Sequence, residues 1–321
     1  MKSISELRDI VEKSLNHIKY PIQPNSLYEP VRYLISLKGK RIRAILVLLA
    51  YQLYDSKIEN ALNTALAVEL FHNFTLIHDD IMDDAPLRRG QQTVHEKWDQ
   101  NVAILSGDTM VIRSYQLLSN LEPRILKKVL EVFNNSAITV CEGQQQDMDF
   151  EKKDHVNINQ YIQMITNKTS VLIAAALKIG AIIGGASIKD QQNLYDFGIN
   201  IGIAFQLKDD FLDIFGSSDS FGKALGGDII TGKKTYLYLK ALELADFSTK
   251  NKLKNLYSKE YKHEDKIKNV KNIFVSLNIP ELITNLMIEY HSNAINFLSK
   301  INSEKKKPLE NFSDTLLDRI S

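Results

Sequence analysis

Two segments of the chain repeat one pattern, Asp-Asp-x-x-Asp. Leu76 to Asp84 contains Asp79, Asp80 and Asp83, and Phe205 to Asp213 contains Asp209, Asp210 and Asp213. The chain has 22 aspartates in 321 residues. Chance would supply about 0.1 such triplets, so two together carry information. On a helix, residues i and i+4 share a face. Asp79 then stands beside Asp83, and Asp209 beside Asp213. Like charges at that spacing cost roughly a few tenths of a kcal/mol on a bare helix, a cost that cations remove. Both triplets lie in apolar sequence (Phe74, Ile77 and Ile81 around one, Phe205, Leu207 and Phe211 around the other). A merely solvated acidic face fits that setting poorly, because half-buried carboxylates without partners are expensive. Oxygen ligands without cysteine suit a hard ion such as Mg²⁺, whose shell is completed by water and substrate phosphate.

Basic residues cluster nearby in sequence. Lys38, Lys40, Arg41 and Arg43 surround Gly39. Arg88 and Arg89 follow the first triplet, and Lys223, Lys233 and Lys234 follow the second. Each run alone reads as a solvated patch. Around two acidic helices they suggest an anion held by metals on one side and by Lys and Arg on the other. A diphosphate is the natural anion of that kind.

The elements that must position these groups are helical. Only 7 prolines and 14 glycines interrupt the chain, apolar residues recur at helical spacing, and strand-like alternation is almost absent. The pattern predicts an all-α protein, one compact domain over 1–321. Helices are expected over about 3–19, 26–37, 41–54, 59–84, 93–99, 102–120, 123–151, 157–184 and 189–215. Shorter ones are expected from about 234 onwards. Residues 217–233 read as a long polar loop, a length that is usually functional. Val171 to Ala186 is the longest apolar run, broken by Lys178, and reads as a buried core helix too short to span a membrane.

Composition narrows the function. Net charge is +1, with 44% apolar and 25% charged residues, so nothing draws the chain to nucleic acid or an anionic membrane. Residues 1–20 mix charges and lack the apolar run of a secretory signal. The single cysteine, Cys141, excludes an intramolecular disulfide and points to the cytoplasm. It is expected as a small buried apolar residue.

An ordered set of motifs over about residues 25–240 resembles the trans-isoprenyl diphosphate synthases of the polyprenyl synthetase family, short-chain type. The set comprises Gly39-Lys-Arg-Ile-Arg43, His72, Asp79 to Asp83, Arg88-Arg89-Gly90, Gly143-Gln144 with Asp147, and Lys168-Thr169. Gln206 with Asp209 to Asp213, Lys223 and Lys233 complete it. The resemblance implies a helical bundle around a deep central cavity (the isoprenoid synthase type), usually homodimeric. It implies that Lys40, Arg43, His72 and Arg89 bind isopentenyl diphosphate. It gives Asp79 and Asp83 two Mg²⁺ ions and Asp209 a third, all bridging to an allylic diphosphate. Arg88, Lys168, Lys223 and Lys233 would bind that same group, with Thr169 and Gln206 near the reacting carbons. Arg41 is expected not to be a ligand. Asp80, Asp84, Asp210 and Asp213 are assigned to support through water, and His78, His95 and Trp98 to structural roles.

The implied reaction is a head-to-tail condensation. Loss of diphosphate from an allylic carbon leaves a cation that needs a dry apolar pocket. The five- and four-residue offsets place Phe74 and Thr75 about 6–7.5 Å below Asp79 along one helix. In the family a bulky residue there shortens the product, which suggests a geranylgeranyl or farnesyl product. Three other readings are less complete. A terpene cyclase of the same fold would not need two aspartate triplets and two basic sites. A phosphohydrolase on His72, His78 and Asp79 leaves the second triplet unused. A non-catalytic synthase subunit should lack some of these groups.

Overall fold

The computed structural model describes residues 1–37, 39–216, 225–258 and 265–317. Lys38 and Lys223 lie outside the described residues. The described chain is helical apart from a two-residue hairpin, Leu87–Arg88 paired with Gln91–Gln92. The first half runs α1 (Ile4–Asn16), α2 (Asn25–Ser36), α3 (Ile42–Gln52), α4 (Glu59–Met82), α5 (Val94–Lys97) and α6 (Gln100–Leu118). Then come α7 (Pro123–Lys152), α8 (Ile158–Ile165), α9 (Val171–Ile183) and α10 (Ile188–Phe215). Each expected helix is present to within a few residues.

Three features depart from the sequence reading. The expected helix over 157–184 is continuous, but Thr166–Ser170 between α8 and α9 is wound as a π-helix. The expected loop over 217–233 contains a short helix, Gly227–Thr231. Cys141 is exposed on α7 rather than buried, so its expected role as core filling is wrong. The joined segment Ile158–Ile183 is long and apolar enough to cross a bilayer, yet 83% of its most apolar window is buried inside the protein. That is the signature of a core helix.

Backbone contacts gather the chain into two compact units. One comprises Met1–Ser136, Leu172–Asp196 and Phe297–Phe312. The other comprises Ala137–Val171, Phe197–Asn296 and the residues from Ser313 onwards.

The first unit is built on α3, which is apolar all round. Every residue from Ala44 to Gln52 is buried, as expected of a helix wrapped by others. Helices α1 and α4 pack on it, and α6 packs on α4. Arg41 starts α3 in the left-handed region, φ 49. Its guanidinium is buried against Glu12 at 2.9 Å and Glu69 at 3.7 Å, and donates to the carbonyls of Ile35 and Leu37. Arg41 therefore holds the start of α3 to α1 and α4. Arg41→Ala would leave the Glu69 carboxylate, 1% exposed, without its counter-ion. Breaking such a pair costs about 3–5 kcal/mol. A drop of that size in the denaturant unfolding free energy is the expected result.

The second unit centres on Leu207, Ile229, Leu237, Leu253, Phe274 and Ile283, all buried. Among its helices, Ile279–Ser299 is longer than expected for this part of the chain. Pro280 lies in its first turn, where a missing N–H costs nothing.

Candidate functional site

In the first unit the basic residues converge on a histidine. Arg43 Nη1 lies 2.9 Å from His72 Nε2. A guanidinium can only donate, so Nε2 accepts and the imidazole carries its proton on Nδ1, 3.5 Å from Thr75 Oγ1. Burial, then the charges of Arg43, Arg88, Arg89 and Arg41, hold the His72 pKa well below its ordinary 6.5. Of these four guanidinium groups, Arg41 and Arg88 are each paired with a carboxylate as well. Arg89, also with positive φ, donates to the Leu37 carbonyl at 3.1 Å. Lys40 is exposed just before α3.

This environment sets a pH dependence. The folded chain resists protonation of His72, so unfolding takes up a proton below pH 6.5. The stabilising share is present above 6.5 and is lost as pH falls towards the folded pKa, by up to about 1.4 kcal/mol per pH unit. His72→Gln should remove that share. Urea unfolding of both proteins across this range checks it: the variant's stability should fall less steeply with acid.

Asp79 and Asp80 lie in the last turn of α4, and Asp83 is its C-cap. Asp79 and Asp83 share one face, half-buried and exposed respectively. Asp80 is buried and receives two hydrogen bonds from Arg88, Nε and Nη2 each at 2.7 Å. Burial raises the Asp80 pKa, and Arg88 opposes that rise. Two of five guanidinium protons are thus spent on Asp80, which fixes the orientation of Arg88. One turn and more below Asp79, Phe74 packs on Phe71 and His78 with ring centroids 5.4 and 4.6 Å apart. Thr75 is committed to the His72 carbonyl at 2.8 Å.

In the second unit the expected residues line one cavity of about 220 Å³. Its wall holds Lys168, Thr169, Gln206, Asp209 and Lys233, as expected, with Asp147. The π-helical turn presents the first two. Two glycines let neighbouring helices approach it: a Cβ on Gly143 of α7 would stand 2.3 Å from Lys168 N, and one on Gly202 of α10 would stand 2.6 Å from Ser170 Cα. Neither approach is open to a residue with a side chain. Such π turns occur often at functional sites.

The polar groups of this cavity are ordered as a chain. Lys168 Nζ donates to Asp147 at 2.6 Å. Thr169 Oγ1 donates to Gln206 Oε1 at 2.9 Å, and Gln206 Nε2 donates to Asp210 Oδ1 at 3.1 Å. The Tyr161 hydroxyl donates to the other Asp210 oxygen. Burial and the neighbouring Asp228 push the Asp210 pKa well above the carboxylate range. Asp213 accepts the Asp228 backbone N–H at 3.0 Å, and its carbonyl accepts the Gly226 N–H at 2.7 Å. Asp209, Asp210 and Asp213 all line the cavity, and Asp210 and Asp213 also anchor the structure around it.

Lys234, one of the basic residues noted after the second triplet, also lines this cavity, as do Tyr161 and Asp228, which were not among the expected site residues. Lys234 Nζ reaches the Phe150 carbonyl at 2.6 Å. Tyr161 lies seven residues before Lys168, two turns along, a spacing that could have revealed it. Asp228 follows Gly226 and Gly227, and a Gly-Gly-Asp start to a short helix was the available signal.

The comparisons with known proteins agree with this geometry. The family model for polyprenyl synthetase matches residues 24–274. The geranylgeranyl diphosphate synthase of Methanosarcina mazei is 42% identical over 235 residues, 73% of this chain and 72% of that protein. The short chain isoprenyl diphosphate synthase of Methanocaldococcus jannaschii is 34% identical over 98% of this chain and 95% of its own. A crystal structure of a geranylgeranyl pyrophosphate synthase superposes with a TM-score of 0.95 at 42% identity, covering 100% of both chains. With most of its length matched by sequence and all of it by shape, the chain belongs to the polyprenyl synthetase family.

Proposed function

We propose that this enzyme condenses isopentenyl diphosphate head-to-tail with an allylic diphosphate, releasing diphosphate and yielding a short all-trans product, geranylgeranyl first and farnesyl next. The carrying observation is the pairing of two aspartate triplets with two separate basic sets, as a reaction of two diphosphates requires. The several geranylgeranyl diphosphate synthases among the relatives support the product class.

The residues fit a divalent hard ion. Asp79 and Asp83 share a helix face, and Asp209, Asp213 and Asp228 line one cavity. These are oxygen donors, as Mg²⁺ prefers. Asp79 and Asp83 would hold two ions and Asp209 a third, three per active site. When bound, Mg²⁺ would neutralise the charge that grows on the departing diphosphate. Lys168 and Lys233 would donate to the allylic diphosphate, with Arg88 and Lys223. Arg43, Arg89, Lys40 and His72 would bind isopentenyl diphosphate, His72 as a neutral donor through Nδ1. The Thr169 proton is spent on Gln206, so its oxygen presents lone pairs to a developing cation. The departing diphosphate would accept the final proton.

The enzyme would work as one catalytic domain over 1–321 and as a cytoplasmic homodimer. Leu105 and Ile112 are exposed on α6 at seven-residue spacing, one face of a helix left for a second copy. Ile112→Glu should give monomer by light scattering where the parent gives dimer.

The test is a condensation assay with Mg²⁺, labelled isopentenyl diphosphate and, separately, dimethylallyl, geranyl and farnesyl diphosphate. Mg²⁺-dependent elongation is expected. Folded protein that elongates no starter would overturn the reading.

A further inference from the structure

One group of ligand-type side chains lies outside the proposed reaction. Asp84, His95 and Glu96 each offer one ligand atom, and these atoms all lie within 4.8 Å of one another. Donors about 2.0–2.2 Å from a common ion sit roughly 3–4 Å apart, so the three need to close by about 1 Å. Asp84 follows α4 in the left-handed region, φ 49. His95 and Glu96 belong to α5. The Arg88-Arg89 hairpin lies in the chain between them.

His95 is the informative member. Its side chain is only 9% exposed. Neither ring nitrogen has a hydrogen-bond partner among the described residues, although a buried imidazole ordinarily satisfies both. Its Nε2 lies 3.8 Å from Glu96 Oε1. That is too long for a hydrogen bond and suits two ligands of one ion. The carboxylates of Asp84 and Glu96 are exposed, so water can complete the shell.

We propose that Asp84, His95 and Glu96 form a metal site separate from the aspartate triplets, for a divalent first-row transition ion such as Zn²⁺ or Co²⁺. One imidazole with two carboxylates favours such ions over Mg²⁺. The ion would tie the end of α4 to α5 and so brace the turn that carries Arg88 and Arg89. This site stands whether or not the condensation reading does.

The single tryptophan, Trp98, follows Glu96 by two residues and reports on the site. The full-length chain is titrated with Co²⁺ in excess Mg²⁺ while Trp98 fluorescence is followed. Expected is a saturable one-site quench that Zn²⁺ reverses and that persists in Asp79→Ala. Loss of an outer-shell partner weakens metal sites by roughly 10–100-fold. Glu96→Gln and Asp84→Asn, both at exposed positions, should shift the midpoint by at least that factor, and His95→Gln should abolish the quench. An unchanged midpoint in both exposed-site variants would overturn the proposal. So would an absent quench, or one removed by Mg²⁺ or by Asp79→Ala, which would put the ion at the triplet.

Discussion

Asp79→Ala should lower kcat by about 10²–10³-fold or more while leaving the unfolding midpoint nearly unchanged. The size follows from the work the carboxylate is proposed to do. Removing one preorganised electrostatic contact to developing charge costs about 2.7–4 kcal/mol. The neutral result for stability follows from position. Asp79 sits in the last turn of α4, part-exposed beside Asp83, where two like charges repel. Its neighbour offers the contrast. Asp80 is 3% exposed and held by both hydrogen bonds from Arg88. Asp80→Ala should therefore destabilise the fold and release the Arg88 guanidinium as well as slow catalysis. Steady-state kinetics and chemical unfolding of the two variants separate the roles. Equal kinetic losses with equal destabilisation would mean that the triplet acts only as structure.

That contrast marks what could be read before the fold was known. Spacing alone placed Asp79 with Asp83 and Asp209 with Asp213, because helical geometry fixes which side chains share a face. Asp80 and Asp210, expected to give support through water, instead bond directly to Arg88 and Tyr161. Long apolar periodicity located each helix through α10. What stayed hidden depends on tertiary contact. The π turn at Thr166–Ser170 has no local composition signal. It goes with two helices brought close by Gly143 and Gly202, distant in sequence. Asp228 enters the cavity because the Asp213 carboxylate holds its backbone N–H. Cys141 was misjudged because residue type is a weak guide to which face of a long helix meets water. The role of Lys223 lies outside the described residues.

Charge arrangement explains why the two basic sets differ in kind. In the cavity of the second unit, Lys168 is already paired with Asp147 at 2.6 Å. A phosphate bound there, as proposed, would compete with that carboxylate, so its binding would be an exchange of partners. Around His72, Arg43 donates to the neutral ring, while Arg41 is paired with Glu12 and Glu69 and Arg88 with Asp80.

Phe74→Ala should lengthen the product. The side chain stands five residues before Asp79 on one helix, about 7.5 Å further along its axis. It is not free to swing aside. Phe71 and His78 hold it from either end at ring-centroid distances of 5.4 and 4.6 Å, and Phe71 is fixed in turn against Phe133 at 5.1 Å. Across from it, α6 approaches so closely that a Cβ on Gly107 would meet the Phe74 ring at 3.4 Å and His78 Nε2 at 2.6 Å. A ring locked in this way can act as a floor, since close-packed interiors do not yield to a growing chain. Alanine removes the ring and leaves space that surrounding side chains fill only in part. The residues proposed to bind diphosphate stay in place, so elongation should continue where the ring stood. Chromatography of dephosphorylated products should show the main product one or more isoprene units longer, with the rate for the first condensation little changed. Thr75→Phe should act in reverse, shifting the spectrum towards farnesyl. An unchanged product spectrum in Phe74→Ala would place the floor elsewhere in the fold.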